Sequence, residues 1–255
     1  MANTVLEAKH MKKIYNYQTP NAFEALHDIT FKVEEGEFIA IMGPSGSGKS
    51  TFINNISTID MYTEGHVFIG GREVKRMTSN EIGRFRYQNL GFIFQDFNLL
   101  DTHTIYENIA MPLSLAHVSK EEIAPKVQAL AEKMDITSLL KKFPYECSGG
   151  QRQRAAICRA LINEPQIIVA DEPTGNLDSK NSSELMKILK DMNEKDGVTI
   201  VMVTHDALIA SYSTRLIMIK DGAIEVELQR GDLTQDAYFQ KIVEVNSQES
   251  RELIQ

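Results

Sequence analysis

Three short segments of the chain are almost entirely apolar, and each is followed at once by polar or flexible residues. They are FIAIM at 38–42, IIVA at 167–170 and TIVMV at 199–203. Uninterrupted apolar runs are typical of strands buried on both faces, whereas half-buried strands alternate apolar and polar residues. We therefore predict three buried strands at the centre of the fold.

Segments after these runs have the apolar spacing of helices. Examples are KSTFINNIST at 49–58, a segment that begins with SKEEI at 119–123, and SSELMKILKDMNEKDG at 182–197, which ends on a glycine. Strands that alternate with helices predict an α/β fold with a parallel sheet. Ligands of such sheets bind beyond the carboxyl ends of the strands, where the polar residues lie.

Composition and charge narrow the class of protein. The chain has 255 residues and a net charge of −8, and this acidic balance argues against a nucleic-acid partner. Its two cysteines, Cys147 and Cys158, are too few for a disulfide scaffold and predict a reducing, cytoplasmic compartment. No run approaches the ~18 apolar residues of a membrane span, so we expect any membrane role to depend on a partner.

The sequence GPSGSGKS at 43–50, the P-loop, matches the pattern G-x-x-x-x-G-K-[ST] in full and follows the first apolar run. Its glycines allow the backbone N–H groups to turn toward phosphate oxygens at a helix N-terminus. Lys49 is expected to reach the β- and γ-phosphates of a nucleoside triphosphate, and the Ser50 hydroxyl to bind Mg²⁺. The predicted nucleotide contacts of this segment are Gly43, Ser45, Gly46, Ser47, Gly48, Lys49, Ser50 and Thr51.

A P-loop GTPase would also need a base-reading N-K-x-D sequence. The nearest string is NEKD at 193–196, which has lysine in the wrong place and lies at the end of a predicted helix. We therefore do not expect a GTPase.

A second anion site is predicted at SGGQ, residues 148–151. Ser148 offers a hydroxyl and Gly149 and Gly150 offer backbone N–H groups before a predicted helix. An ordinary helix cap would have the same sequence, so this segment alone decides nothing. The strand that follows ends in Asp171 and Glu172. Asp171 is placed to hold Mg²⁺ through water, and Glu172 is placed to accept a proton from an attacking water.

Together these motifs resemble the ATP-binding-cassette (ABC) ATPases over nearly the whole chain. The resemblance implies an α/β fold with a P-loop NTPase (RecA-like) core, a parallel sheet, an N-terminal antiparallel β region and an inserted helical subdomain. It implies one ABC ATPase domain over 1–255. Within it we expect a nucleotide-binding core of about 1–95 and 159–228, a helical subdomain of about 96–158 and a C-terminal helical tail of about 229–255.

The resemblance also implies roles for single residues. The segment CSGGQ at 147–151 resembles the family's signature loop, which contacts the γ-phosphate of ATP held by the opposite subunit, so that two copies pack head to tail around two ATP molecules. Gln95 resembles the glutamine that meets Mg²⁺ and senses the membrane partner, and His205 resembles the histidine that contacts the γ-phosphate. GNLD at 175–178 resembles the loop that links the two sites. The implied set is Glu172, His205 and Lys49 for catalysis, Ser148, Gly149, Gly150 and Gln151 for nucleotide contacts, and Ser50, Gln95 and Asp171 for Mg²⁺.

Two details stay open at this point. Tyr15 resembles the aromatic residue that stacks on adenine, but Tyr17 would share its face of a strand and is a rival. Cys147 stands where the signature usually has leucine. Because a buried cysteine behaves as a small hydrophobe, we interpret this departure as a packing substitution.

The segment GFIFQDFNLLDTHTIYENIAMPLSL at 91–115 most resembles the ATPases of bacitracin- and lantibiotic-resistance transporters, in the branch with macrolide-export and lipoprotein-release ATPases. This implies an integral-membrane permease as partner, in some systems with a membrane histidine kinase, and a peripheral location on the inner face of the membrane. The alternatives are an ATPase for lipoprotein release, macrolide export or cell division, or an ATP-switched scaffold for a sensor kinase.

Overall fold

The central element is a six-stranded sheet. The computed structural model describes residues 3–252, with side chains as far as residue 247. In sheet order the strands are β10 (Ala223–Gln229), β9 (Arg215–Lys220), β3 (Phe38–Met42), β8 (Thr199–Val203), β7 (Ile167–Asp171) and β6 (Leu90–Phe94). The pairs from β9 to β6 are parallel, and β10 pairs antiparallel with β9. The three predicted buried strands are confirmed as the neighbours β3, β8 and β7.

Both faces of this sheet are covered, which explains the continuous apolar runs. In β3, Phe38, Ala40 and Met42 belong to the apolar cluster on one face. Ile39 and Ile41 belong to the cluster on the other face. A strand in this position has no solvent-facing side, so each of its residues is apolar.

The predicted N-terminal antiparallel region is a second, four-stranded sheet. In sheet order it consists of β2 (Phe23–Glu34), β1 (Thr4–Tyr15), β4 (Glu64–Ile69) and β5 (Arg72–Glu73). Its inward residues, among them Leu6, Ala8 and Met11, pack in the same cluster as Ile39 and Ile41. This sheet therefore covers one face of the central sheet.

Helices cover the remaining surfaces. They are α1 (Lys49–Ile56), α2 (Ser79–Asn89), α3 (Ile105–Leu115), α4 (Lys120–Lys133), α5 (Gly149–Leu161), α6 (Ser179–Asp196), α7 (Ala207–Ala210) and α8 (Gln235–Glu252). Those expected at 49–58, from 119 and at 182–197 are confirmed as α1, α4 and α6. The Ser119 side chain caps α4, and Gly197 ends α6 in a left-handed conformation with φ 69°. Short 3₁₀ turns lie at Val74–Arg76, Thr137–Leu139 and Pro144–Glu146.

The helices α3, α4 and α5 follow one another between β6 and β7, which are adjacent in the sheet. This is the segment for which the sequence predicts a helical subdomain, and α5 continues to Leu161, three residues past the approximate boundary. The division into subdomains stays a prediction.

The predicted C-terminal tail, about 229–255, contains α8 over Gln235–Glu252, and residues 253–255 lie outside the described part. Tyr238 and Ile242 of α8 are fully buried in the cluster that contains Phe38. The Tyr238 hydroxyl donates to the Leu228 carbonyl at 3.1 Å. Over residues 3–252, no helix combines the length and the apolar character needed to cross a membrane.

Candidate functional site

The P-loop connects β3 to α1, the context that the motif requires, and two of its glycines lie where a side chain would not fit. Gly43 has φ 147°, and a Cβ there would overlap the carbonyl oxygen of Ile219 in β9. Gly48 has φ 100° and caps α1, with a Cβ position 2.9 Å from the carbonyl oxygen of Ala25. The loop backbone is therefore held against β9 and β2 at the N-terminus of a helix, a geometry suited to binding an anion.

Ser47 lies buried inside this loop. Its backbone is bonded to the β9–β10 turn, because the Gly222 N–H donates to the Ser47 carbonyl at 2.9 Å. The Ser47 hydroxyl, however, is buried and has no hydrogen-bond partner among the described residues. Buried polar atoms in native structures are normally paired, so an unpaired hydroxyl fits a loop that closes around a bound phosphate.

The Lys49 ammonium group folds back onto its own loop. Its Nζ donates to the carbonyl oxygens of Gly43 at 2.8 Å and Pro44 at 2.7 Å. Burial lowers the pKa of Lys49, and the charges of Glu172 and Asp171 counteract that effect. The lysine is therefore close enough to both acids to interact with them, yet its hydrogen bonds go to neutral carbonyls that triphosphate oxygens could replace.

Asp171 ends β7 at the carboxyl edge of the sheet, where it pairs with Phe94 of β6 and Val203 of β8. Burial raises the pKa of the Asp171 carboxyl, the neighbouring Glu172 raises it further, and Lys49 opposes both. A partly buried carboxylate gains most from a nearby cation, since a cation restores the stabilisation that water would give.

The structure brings Glu172 and His205 together. Oε1 of Glu172 lies 2.9 Å from Nδ1 of His205. The Glu172 backbone has φ 47°, and its N–H donates to the Val203 carbonyl at 3.0 Å. A left-handed backbone conformation is unusual for glutamate, and residues held in such conformations cluster at functional sites. The predicted base and the predicted switch histidine thus share one edge of the site.

Gln95 follows β6 and lies beside the GNLD segment. The Asn176 side chain donates to the Gln95 carbonyl at 3.0 Å and to the Asp96 carboxylate at 2.8 Å. A Cβ on Gly175 would lie 2.9 Å from the Gln95 amide nitrogen. Glycine at position 175 therefore lets the glutamine approach this backbone closely.

The chain offers oxygen ligands suited to Mg²⁺ at this edge of the sheet. The three predicted ligands, Ser50, Gln95 and Asp171, carry a hydroxyl, an amide and a carboxylate oxygen, which are the donors that hard cations prefer. Burial raises the pKa of Asp171, so a bound cation would stabilise its carboxylate. These residues could hold the ion together with phosphate oxygens.

The signature loop, Cys147–Gln151, lies apart from the P-loop cavity. Ser148 caps α5 by accepting from the Gln151 N–H at 3.3 Å, and the Gln151 side chain accepts from the Ser148 N–H at 2.9 Å. Gly149 faces the Asn176 carbonyl, 3.5 Å from its Cβ position. The cavity beside the P-loop is lined by Tyr15, Phe23, Ala25, Gly46, Gly48, Lys49, Ser50 and Thr51. The structure of the single chain is thus compatible both with an ordinary helix cap at SGGQ and with an anion site there.

The structure separates the two candidate tyrosines. Tyr15 is the last residue of β1, lines the P-loop cavity, and has its hydroxyl 3.4 Å from that of Thr51. Tyr17 lies in the turn after β1, and its hydroxyl donates to Glu64 at 3.4 Å. The two would share one face only if the strand reached Tyr17, and this condition is not met, because β1 ends at Tyr15. The geometry favours Tyr15, whose role in stacking stays a prediction.

Sequence reasoning missed one residue that supports the site. Gln153 is fully buried in α5, and its Nε2 donates to the Pro173 carbonyl at 2.7 Å. This bond ties the helix that begins at the signature loop to the turn that carries Glu172. The only sequence signal was an amide on the apolar side of a predicted helix, which by itself does not name a partner.

Comparisons with known proteins agree with this geometry. A sequence model of the ABC transporter family matches residues 26–175. The ABC transporter ATP-binding protein YxdL of Bacillus subtilis is 49% identical over 97% of this chain and 95% of that protein. The bacitracin export ATP-binding protein BceA of Halalkalibacterium halodurans is 47% identical over 94% of both chains.

A solved structure of the ATP-binding cassette MJ0796 of Methanocaldococcus jannaschii, a dimer bound to ADP and Pi in a post-hydrolysis state, is 39% identical. It superposes with a TM-score of 0.81 over 88% of this chain and 98% of that one. The predicted P-loop NTPase fold and ATPase activity are thereby confirmed. The family match covers more than half of the chain and the relatives match it almost from end to end, so the chain belongs to the ABC transporter family and is an ATP-binding, ATP-hydrolysing cassette.

Proposed function

We propose that this ATPase powers a separate membrane permease that protects a bacterium against cell-wall-targeting peptide antibiotics. The observation that carries the proposal is the 47% identity to a bacitracin export ATP-binding protein over nearly the full length of both chains. The segment at 91–115 agrees with it, because its residues resemble those of peptide-resistance ATPases.

In this proposal the site residues divide the work of hydrolysis. Lys49 and the P-loop N–H groups bind the β- and γ-phosphates, and Glu172 accepts a proton from the attacking water. His205, 2.9 Å from Glu172, orients that carboxylate and contacts the γ-phosphate. Ser50, Gln95 and Asp171 hold Mg²⁺, which when bound neutralises charge on the phosphate oxygens.

We further propose that two copies of the chain complete each other's sites head to tail. Each ATP would lie between the P-loop of one copy and Ser148, Gly149, Gly150 and Gln151 of the other. The dimeric cassette MJ0796, with its bound ADP and Pi, supports this assembly. Within one chain, no residue of the signature loop lines the P-loop cavity, which is the arrangement that a two-chain site requires.

The permease would dock on a groove between α2, α3 and the end of β6. The groove has a volume of about 480 Å³, and its apolar lining includes Phe92, Phe94, Met111 and Leu115. Leu115 is 72% exposed and shares this lining with the other apolar side chains, and a contiguous exposed apolar surface marks interaction sites. Phe94 directly precedes Gln95, so docking here could reach the nucleotide site through one residue. A membrane sensor kinase, where present, would join through the permease.

Gene deletion tests the biological role. The deletion strain should become more sensitive to bacitracin or to lantibiotics, and the parental gene should restore resistance. Glu172→Gln, expressed at the parental level by immunoblot, should not restore it. A deletion strain with unchanged resistance to every such peptide, and with mislocalised lipoproteins or abnormal division, would instead support another system of the same branch.

Copurification tests the docking surface. Leu115→Asp should lose the permease from detergent-solubilised membranes while the purified subunit keeps its ATP affinity, because the change lies outside the nucleotide site. Val243→Asp on α8, also an exposed aliphatic residue at 38%, is the matched control and should keep the permease. Retention of the permease by Leu115→Asp would contradict docking at this groove.

A further inference from the structure

Phe23 and its neighbour Tyr15 are both exposed aromatic residues that line one cavity. Phe23 is 63% exposed, and it is the one exposed phenylalanine of the eleven in the chain, all of which the structure describes. An apolar ring on the surface makes no hydrogen bond that would account for its position. A ligand that covers the ring would remove apolar area from water.

The location of Phe23 points to the nucleotide. It is the first residue of β2 and is paired directly with Tyr15, the last residue of β1, in the antiparallel register. Side chains of directly paired residues project to the same face of a sheet and lie close together. Both rings line the same cavity of about 190 Å³ with Gly48, Lys49 and Thr51. The two aromatic residues therefore stand at the mouth of the P-loop.

The Tyr15 ring is held in place by its neighbours. The Lys13 ammonium lies 4.8 Å from the ring centroid, and the Tyr15 hydroxyl donates to Asp60 at 3.3 Å. Lys13 is itself fixed by bonds of 2.8 Å to Asp60 and to the Met61 carbonyl. One aromatic wall is thus positioned before any nucleotide arrives.

The hairpin that carries Phe23 is also constrained. The connection between β1 and β2 contains two turn hydrogen bonds. The Thr19 N–H donates to the Asn16 carbonyl at 3.1 Å, and the Ala22 N–H donates to the Thr19 carbonyl at 3.1 Å. These bonds define the backbone path up to Phe23, so its exposed ring projects from an ordered end of the hairpin rather than from an open loop.

We propose that Phe23 is a second base-binding residue, which together with Tyr15 forms an aromatic pair that receives the nucleobase of ATP. This inference rests on the proposed nucleotide role of the P-loop cavity. Tyr15 supplies the fixed wall, and Phe23 supplies an apolar ring that becomes covered when the base binds. Aromatic contacts of this kind favour flat bases without reading their hydrogen-bonding edges.

Binding measurements on the purified chain test the proposal with two probes, ATP and inorganic tripolyphosphate, which lacks a base. Phe23→Ala should raise the dissociation constant for ATP about two- to tenfold, the range expected for one aromatic contact. It should leave the affinity for tripolyphosphate unchanged. Phe23→Tyr should restore ATP affinity, and Phe23→Leu, which keeps apolar bulk without a ring, should restore it only in part.

Tyr17→Ala, an exposed aromatic change two residues after β1, is the matched control and should bind ATP like the parent. Parental ATP affinity of Phe23→Ala would overturn the proposal, and so would an equal loss of ATP and tripolyphosphate affinity, because the effect would then act through the P-loop. A P-loop that does not bind triphosphate at all would appear separately, as no loss of either ligand in Lys49→Ala.

Discussion

The P-loop and the signature loop both present glycines at the start of a helix, but their surroundings differ. The P-loop is enclosed: Ser47 is 2% exposed, and Gly43 packs so closely on β9 that a Cβ would overlap a carbonyl oxygen. The signature loop lies at the surface, with Ser148 exposed and Gly149 in ordinary helical backbone as the first residue of α5.

Their polar groups differ in the same way. The P-loop contains an unpaired buried hydroxyl on Ser47 and a lysine close to two acids. The signature loop satisfies its own groups through the reciprocal bonds of Ser148 and Gln151. One loop is thus prepared for a ligand by its own chain, whereas the other is a stable helix start whose ligand would have to come from another molecule. Four substitutions test this difference.

Glu172→Gln should have the largest effect, because it removes the proposed base while it keeps size and hydrogen bonding. We expect the rate of ATP hydrolysis to fall about 10²- to 10⁴-fold, with ATP affinity retained. Phosphate release measures the rate, and size exclusion in ATP should reveal a trapped dimer that joins the two loops. Glu194→Gln on α6 is the matched control. Hydrolysis by Glu172→Gln at the parental rate would exclude this carboxylate as the base.

Lys49→Ala tests the enclosed loop by itself. Loss of a charged donor to phosphate should raise the dissociation constant for ATP about 10- to 100-fold, even in the monomer. Calorimetry measures the affinity, and Lys187→Ala, an exposed lysine of α6, serves as control. Unchanged binding would contradict the assignment of Lys49.

Ser148→Arg tests the surface loop and should act only between chains. The bulk and charge of arginine would enter the γ-phosphate position of the partner copy. ATP affinity should remain within about twofold, because each chain keeps its own P-loop. In the double mutant with Glu172→Gln, the ATP-dependent dimer should disappear in size exclusion. Ser119→Arg removes a comparable helix-capping serine from α4 and controls for the lost cap, which costs about 1 kcal/mol. A Ser148→Arg protein that still dimerises would exclude the proposed two-chain site.

Cys147→Leu should have the smallest effect. The thiol is almost fully buried at the edge of the signature loop and burial raises its pKa, so it stays neutral and unreactive near pH 7. We expect a stability change of at most about 1–3 kcal/mol from the added volume, measured by denaturant unfolding, with ATPase activity kept. Loss of activity in a folded protein would indicate a specific role for the thiol.

The sequence by itself predicted the features that depend on short stretches of chain. The apolar runs of β3, β7 and β8, the P-loop turn, the Ser119 cap and the Gly197 stop are all set by neighbouring residues, because burial pattern and backbone geometry act over a few positions. The same locality placed Asp171 and Glu172 at the end of a strand. It also allowed the family resemblance, since the motifs are contiguous.

Only the tertiary structure decided which distant residues meet. The bond from Gln153 to Pro173 joins residues 20 apart, the His205 contact with Glu172 joins residues 33 apart, and the pairing of Phe23 with Tyr15 depends on where β1 ends. That end point also separated Tyr15 from Tyr17. Such contacts follow from strand order and register, which packing of the whole chain determines, so no local pattern could specify them.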